Sequence, residues 1–405
     1  MVSHTRAKPN LIKICEDIYR DGRIKAHNCG LVIVTFLSSI VIFPRLLPMA
    51  PISHLTPQQA SAILAAHLPQ PPTELPTVSL VHLTDADPAA CASFHIYLVH
   101  CAPHTATYLI TLQLSEPLKG EAPLTAPNSL QAQYQLLSAL HAHISSGPPP
   151  IPLPFPVPIA LNTDAPKPYI LARLPAPLSP STQLNSLATV HGTLPPEQTA
   201  SLDLRFGVAL RTLHNLQSEW CGPPPLESEG LFSWQEAFER LIDEALCAAE
   251  SAGDIFASPT EDIAALRACL ARAIGAFLFD DVEVPSLVAL TTGAGSVFVA
   301  DAGNDDAEPR LALLLPSFAH LLYGDPLLER AFSPSEAPSR ALLEGYGSPP
   351  PIVFARQRTK RMWYDLYLGL VVLLGTRRVG SDQNVDWATQ LVEHSRVLIR
   401  DAPCY

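Results

Sequence analysis

Charge is scarce in this chain of 405 residues: only 16% are Asp, Glu, Lys or Arg, against about a quarter in ordinary soluble domains. Basic residues are scarcer than acidic ones, 26 against 38, for a formal charge of −12. A nucleic-acid binder needs a basic surface to displace counterions from phosphates, so that class is excluded. The one basic cluster, Arg356, Arg358, Lys360 and Arg361, reads as a solvated loop or the start of a helix. Glycine is sparse at 19 with no every-third repeat, which excludes collagen. The eight cysteines form no CxxC pair, excluding a zinc ribbon and a thioredoxin-like motif. Cys247 and Cys269 fall on apparent core faces of helices, where a reduced thiol acts as a small apolar group, and a reducing, cytoplasmic compartment fits. No turn resembles a strand–nucleophile–helix elbow, so a hydrolase is set aside. The longest uncharged run, CGLVIVTFLSSIVIF at 29–43, is shorter than the about 20 residues of a spanning helix. Two readings stay open for it: an apolar extension packed on the domain, or a membrane anchor. The basic residues ahead of it would keep the N-terminus of an anchor cytoplasmic.

Apolar residues are plentiful at 47%, and proline, at 42, is about twice its ordinary usage. Such a chain builds a sizeable core and is not disordered. Its length has room for two or three domains, or one large two-lobed fold. From Ile52 the pattern is globular. Thr56 followed by Pro57 predicts a helix start. FHIYLV at 94–99 and TYLITLQL at 107–114 predict strands, being β-branched and aromatic. A helix is expected over 129–143. Proline at nearly every second position of 147–158 predicts a polyproline-like edge or connector, and 169–174 a further strand. Beyond Ala176 helices dominate. Ser233 with Glu236, and Ser258 with Glu261, read as capping boxes. The first is followed by a continuous apolar stripe from Trp234 to Leu246. Short strands are expected at 286–290, 297–299 and 311–315, and a last helix near 362–374.

Small sheet with one helix, proline connector, strand, then a helical half broken by a hairpin-like unit: that order is kinase-like. The stretches FGVALRTLHNL (206–216), SWQEAFERLIDEAL (233–246) and the block at 285–299, with YGDPLLE (323–329) and YDLY (364–367), together resemble the aminoglycoside phosphotransferase family in its broad fungal form. The resemblance runs from about Ile52 to Leu374. It implies an α+β, two-lobed protein-kinase-like fold. An N-terminal extension would occupy 1–51, a small lobe rich in β-strand 52–175, and a mostly helical lobe 176–405. The implied reaction moves a γ-phosphoryl group onto a small-molecule hydroxyl, by positioning and charge neutralisation.

The resemblance fails where that chemistry would reside. Set against the family phrase L-V-H-x-D-L-x-x-G-N-V, residues 287–297 put Ala289 at the histidine, Thr291 at the base and Ser296 at the metal amide. Counted back from Gly324-Asp325-Pro326, the second metal position is Ser317. The phosphate lysine of the small lobe becomes Thr111, and its glutamate partner Gln133. The loop near 85–95 contains no glycine. A threonine hydroxyl has no basic form near neutral pH, and two serines supply none of the carboxylate charge that magnesium commonly takes. The resemblance therefore implies a degenerate, pseudokinase-like member with a binding or scaffold role toward a small molecule or a protein. No cofactor is required, magnesium is not expected, and ATP stays open as a ligand. Its adenine would meet the backbone of Leu171, Ala172, Arg173 and Leu174 at the hinge.

The alternative is an active phosphotransferase using displaced acids, for which Asp301, Asp305, Asp306, Glu308 and Asp325 are the candidates. The first four read as a solvated turn and Asp325 as a structural residue near a helix start. The phrase Val190-His191-Gly192-Thr193 mimics the catalytic phrase but precedes the helix of Phe206, and is read as coincidence. His95, His100 and His104 around Cys101 have no second ligand pair at matching spacing, and are read as strand-end histidines.

Overall fold

The structure, a computed structural model, describes residues 54–68, 77–83, 93–102, 106–114, 124–146, 153–164, 167–176, 178, 182–256, 258–300, 309–314, 317–347, 354–379 and 384–402. The apolar run at 29–43, Asp301, Asp305, Asp306, Glu308, His104 and most of 85–95 lie outside these residues. Among those described, no helix is long and apolar enough to cross a membrane.

The chain begins with helix α1 (Pro57–His67). Thr56 is its N-cap: its side chain accepts from the Gln59 N–H, and Gln59 reaches back to the Thr56 N–H, satisfying two orphan donors reciprocally. Strands β1 (Thr77–His82), β2 (Phe94–Ala102) and β3 (Thr107–Gln113) follow, then α2 (Leu130–Ser146), β4 (Val157–Asn162) and β5 (Tyr169–Arg173). They build one antiparallel sheet in the order β1-β2-β3-β5-β4. Both faces are covered. Leu98, Leu109 and Ile170 share a core with α2, whereas Tyr97, Val99, Ile110 and Leu171 share one with α1. Alternate residues serve opposite faces, so β2 and β3 read as unbroken apolar runs. The connector expected at 147–158 is in part a strand. Pro158 sits at a register irregularity in the edge strand β4, where its missing N–H costs no ladder bond.

The remainder is mostly helical. Strand β6 (Leu184–Ser186) and a single turn α3 (Leu187–Val190) lead into α4 (Pro196–His214), and α5 (Trp234–Ala252) and α6 (Pro259–Gly275) follow. Then come β7 (Ser286–Ala289), β8 (Val297–Ala300), β9 (Arg310–Leu314) and β10 (Leu321–Gly324), and finally α7 (Arg340–Tyr346), α8 (Ala355–Val379) and α9 (Val385–Asp401). The strands form a three-stranded sheet, β6-β8-β9, and a β7-β10 pair.

Helix α5 has the predicted N-cap, though only the serine half of the capping box is made. Ser233 accepts from the Glu236 N–H, and Gly253 closes the other end at φ +79°, the left-handed conformation that glycine adopts freely. Its stripe from Trp234 to Leu246 is buried against α8. Trp234 Nε1 donates to the Tyr364 hydroxyl at 2.8 Å. Trp234→Phe is therefore expected to lower unfolding free energy by about 1–2 kcal/mol in urea titration, mainly through that lost hydrogen bond.

Four readings need correction. Ser258 makes no side-chain cap; the Ser258 N–H instead donates to Asp262, one turn inside the helix. The last helix is longer than expected, and α9 follows it, burying Ala388, Leu391, Val392 and Ile399 at the spacing of one helix face. Cys247 is exposed and Cys269 only half-buried, because both sit at the edge of their helices' apolar stripe. The basic cluster does open a helix, but Lys360 and Arg361 are each only 2% exposed. Acidic partners on neighbouring elements, Asp281 and Asp325 for Lys360, draw the ammonium inside.

Candidate functional site

Strand β7 ends at Ala289, and the loop 290–296 carries Thr291 and Ser296 into β8. Both side chains are buried. The loop is tightened by Thr292 N–H donating to the Ala289 carbonyl and by a single 3-10 turn over Ala294–Ser296. It is held from beneath by acids and cations that the sequence alone did not single out. The Ala289 N–H donates to Glu329 Oε2 at 2.9 Å. Glu329 is fully buried, and the same oxygen lies 3.2 Å from His214 Nε2, while His214 Nδ1 lies 2.9 Å from the Tyr346 hydroxyl. A carboxylate only accepts, so His214 Nε2 is the donor to Glu329, while Nδ1 shares a hydrogen bond with the Tyr346 hydroxyl. Burial and the Glu329 charge raise the Tyr346 pKa, keeping that hydroxyl a donor. From the other side Arg330 Nη1 donates to the Thr291 carbonyl at 3.3 Å and Nε donates to Glu336 at 2.7 Å. Among the described residues no carboxylate is hydrogen-bonded to the Thr291 hydroxyl.

Ser317 lies between β9 and β10. Its hydroxyl accepts from the Ala319 N–H at 3.2 Å, and the following loop is clasped by Asn128, whose Nδ2 donates to the carbonyls of Phe318 and Leu321. Gln133, in α2, donates to the Asn128 carbonyl and so fixes the start of its own helix rather than reaching β3. Thr111 is buried in β3 with the parity of Leu109, toward α2, paired with Ile96 and Ile170. Between residues 52 and 175 the only cations in the sequence are Lys119, Lys167 and Arg173. Lys119 lies outside the described residues. Lys167 occupies the β4–β5 turn, and Arg173 is exposed with the parity of Tyr169 and Leu171, toward α1.

The hinge backbone is not where the resemblance places it. Leu171, Ala172 and Arg173 are interior to the sheet, paired with β3 on one side and β4 on the other. The Leu174 N–H donates to the Thr107 carbonyl. An inner strand spends its polar groups on its two neighbours, so an adenine would have to meet the chain beyond Leu174. Asp325 is likewise committed. It accepts from the Leu327 N–H and from the Tyr364 hydroxyl, and pairs with Lys360. That is the structural role read from the sequence.

His191, dismissed with its mimic phrase, has a definite setting. Its Nε2 lies 2.8 Å from Asp203 Oδ1, and that carboxylate is buried on α4. Both line a cavity of about 650 Å³ with Thr199 and Ser339. An adjoining one of about 270 Å³ shares these residues and reaches Ala294, in the loop, and Glu336. The Asp203 carboxylate fixes the orientation of the His191 imidazole in the cavity wall. The signal available in the sequence was His191 and Asp203 flanking the start of α4, but their meeting depends on how α3 turns back. Among the described residues no group of three His, Cys, Asp or Glu side chains is arranged to hold a metal ion.

No protein-family model matches the chain, and no curated protein matches it. Solved structures do. A protein assigned as a fructosamine-3-kinase from Haemophilus somnus aligns with 83% of this chain and 96% of its own, at a TM-score of 0.50 and 15% identity. One assigned as an aminoglycoside phosphotransferase from Ralstonia eutropha aligns with 85% and 98%, at 0.49 and 11%. A microcompartment-associated aminopropanol kinase gives 86% and 99%, at 0.48 and 13%. The strand order of the small sheet, the helix inserted between β3 and β4, and the likeness to the first of these structures agree on one conclusion. The chain has the two-lobed, α+β kinase-like fold.

Proposed function

We propose that this chain is a degenerate relative of the aminoglycoside phosphotransferases, in the broad fungal form of that group, that binds a small molecule without transferring phosphate. The observation that carries this is the distribution of charge. A triphosphate needs cations and a metal needs carboxylates. The face of the sheet that would supply the cation carries Thr111, and the loop and strand ends that would supply the acids carry Thr291, Ser296 and Ser317. Among the described residues, the acids that hold the loop are Glu329, whose Oε2 pairs with His214 and the Ala289 N–H, and Glu336, which pairs with Arg330. The cavity walled by His191 and Asp203 is the site proposed for the ligand.

One observation favours a second reading, a phosphotransferase with displaced groups: the His191–Asp203 pair shares a cavity wall with Ala294. There His191 would accept the proton of the acceptor hydroxyl. Thermal unfolding with ATP, alone and with magnesium, separates the two. We expect no magnesium-dependent rise in Tm and no ATP consumption with alcohol or amine acceptors. Ligand at a hundred times its Kd would stabilise by about 2.7 kcal/mol. A shift of that size that requires magnesium, with turnover lost in His191→Ala and Asp203→Asn, would establish the second reading. A shift without magnesium would make ATP itself a ligand of the non-transferring form.

A further inference from the structure

We propose that His54, His82 and His95, gathered around the Tyr97 hydroxyl, form a proton-operated latch that holds α1 on the sheet and lets go in acid. The three residues come from different elements: His54 from the segment ahead of α1, His82 from the end of β1 and His95 from the start of β2. Their rings lie close, with centroids 4.4 Å apart for His82 and His95, 5.6 Å for His54 and His95, and 6.3 Å for His54 and His82. Tyr97 is buried, and its hydroxyl is the hub. It lies 3.4 Å from His54 Nδ1 and 3.2 Å from His95 Nδ1, and it accepts from the Leu55 N–H at 3.3 Å. The start of α1 is thus tied to the sheet through a hydroxyl that His95 also contacts.

Among the described residues of the elements packed on the cluster, no acidic side chain faces it. Helix α1, β1, β2 and β3 contain no acidic residue. The titratable groups they contribute on this face, beyond the three histidines, are Tyr97, Tyr108, Cys101 and His67, the last bonded to Tyr169 at the far end of α1. Asp85 and Asp87 follow β1 in the chain and lie outside the described residues. A proton added to one ring therefore meets two other imidazoles at ring-contact distance, which disfavours the charged form. Burial first, and then the neighbouring imidazoles, lower the pKa of His95 to about 4 and lower that of His82 as well.

The sign follows. A histidine with a lowered pKa binds fewer protons while latched than when released, where its value returns to 6.5. The latch is closed above that value and loosens as pH falls toward 4. For His95 alone the opening constant rises about thirtyfold between pH 8 and pH 5.

Hydrogen–deuterium exchange of the full chain tests this, with rates corrected for intrinsic chemistry. Residues 54–67 should lose protection about thirtyfold or more on going from pH 8 to pH 5, while α5 keeps its own. In His95→Gln, which preserves a polar partner for Tyr97 and takes up no proton, that response should shrink to a few-fold. Equal loss in α5, no loss in residues 54–67, or a full response in His95→Gln each overturns the latch. If that variant does not fold, ring-proton NMR of the wild type decides: His82 and His95 both titrating near 6.5 would also overturn it.

Discussion

Replacing Lys360 with Met is expected to lower the unfolding free energy by about 3–5 kcal/mol, because it strands a buried carboxylate. Lys360 is 2% exposed and its ammonium pairs with Asp325 and, at 2.6 Å, with Asp281. Asp281 is partly exposed and can turn to water. Asp325 cannot: it is buried, with only the Tyr364 hydroxyl and the Leu327 N–H left as partners. Burial and the Asp325 charge hold the Tyr364 pKa well above its usual value, so that hydroxyl remains a donor and gives no proton to compensate. Urea or guanidinium titration measures the loss. Lys360→Met combined with Asp325→Asn should recover a substantial part of it, since the uncompensated charge is gone. If the single variant loses less than about 1 kcal/mol, Asp325 is not held as an anion by Lys360.

The second large effect is expected where α4 crosses α7. Gly207 and Gly345 face the partner helix with bare backbone. A Cβ on Gly207 would run into the Leu342 carbonyl and lie 2.6 Å from the Tyr346 nitrogen; one on Gly345 would run into the Leu204 carbonyl. Main chain does not swing aside as a side chain does. Gly207→Ala and Gly345→Ala should each destabilise by about 1–3 kcal/mol or more, in spite of the about 1 kcal/mol that alanine gains in a helix. Because both act on one crossing, the double variant should lose less than their sum. Gly192→Ala, whose Cβ would meet nothing within 4 Å, serves as the neutral control. The same crossing sets the cavity proposed for the ligand, since Thr199 and Asp203 stand on α4 and Ser339 caps the start of α7. Prising the helices apart should also strain the His214–Tyr346 hydrogen bond beneath the loop. Any ligand found by the thermal titrations should bind these glycine variants more weakly than wild type.

The elements were largely legible because their signals are local. Thr56, Ser233 and the α5 stripe announce themselves within one or two turns, and the alternation in β2 and β3 shows as an apolar run because both faces are covered. The end of the chain carries an equally local signal. Helix α9 buries Ala388, Leu391, Val392 and Ile399, spaced as one face of a helix. Lys360 and Arg361 looked solvated because a cation's burial is decided by partners: Asp281 and Asp325 for the first, and Asp365 with the Leu327 and Glu329 carbonyls for the second.

The candidate site divides in the same way. Which residues stand at the positions the resemblance picks out is a property of the sequence: Thr111, Thr291, Ser296 and Ser317 are uncharged in any conformation. Which groups are gathered instead was decided by tertiary structure. Glu329 reaches the Ala289 N–H across 40 positions, Arg330 reaches the Thr291 carbonyl, and His54, His82 and His95 meet from three separate elements. Composition and spacing set the chemistry each residue has to offer; distance and burial decide whether it is used, because electrostatic and hydrogen-bond energies depend on both, and only the folded chain sets them.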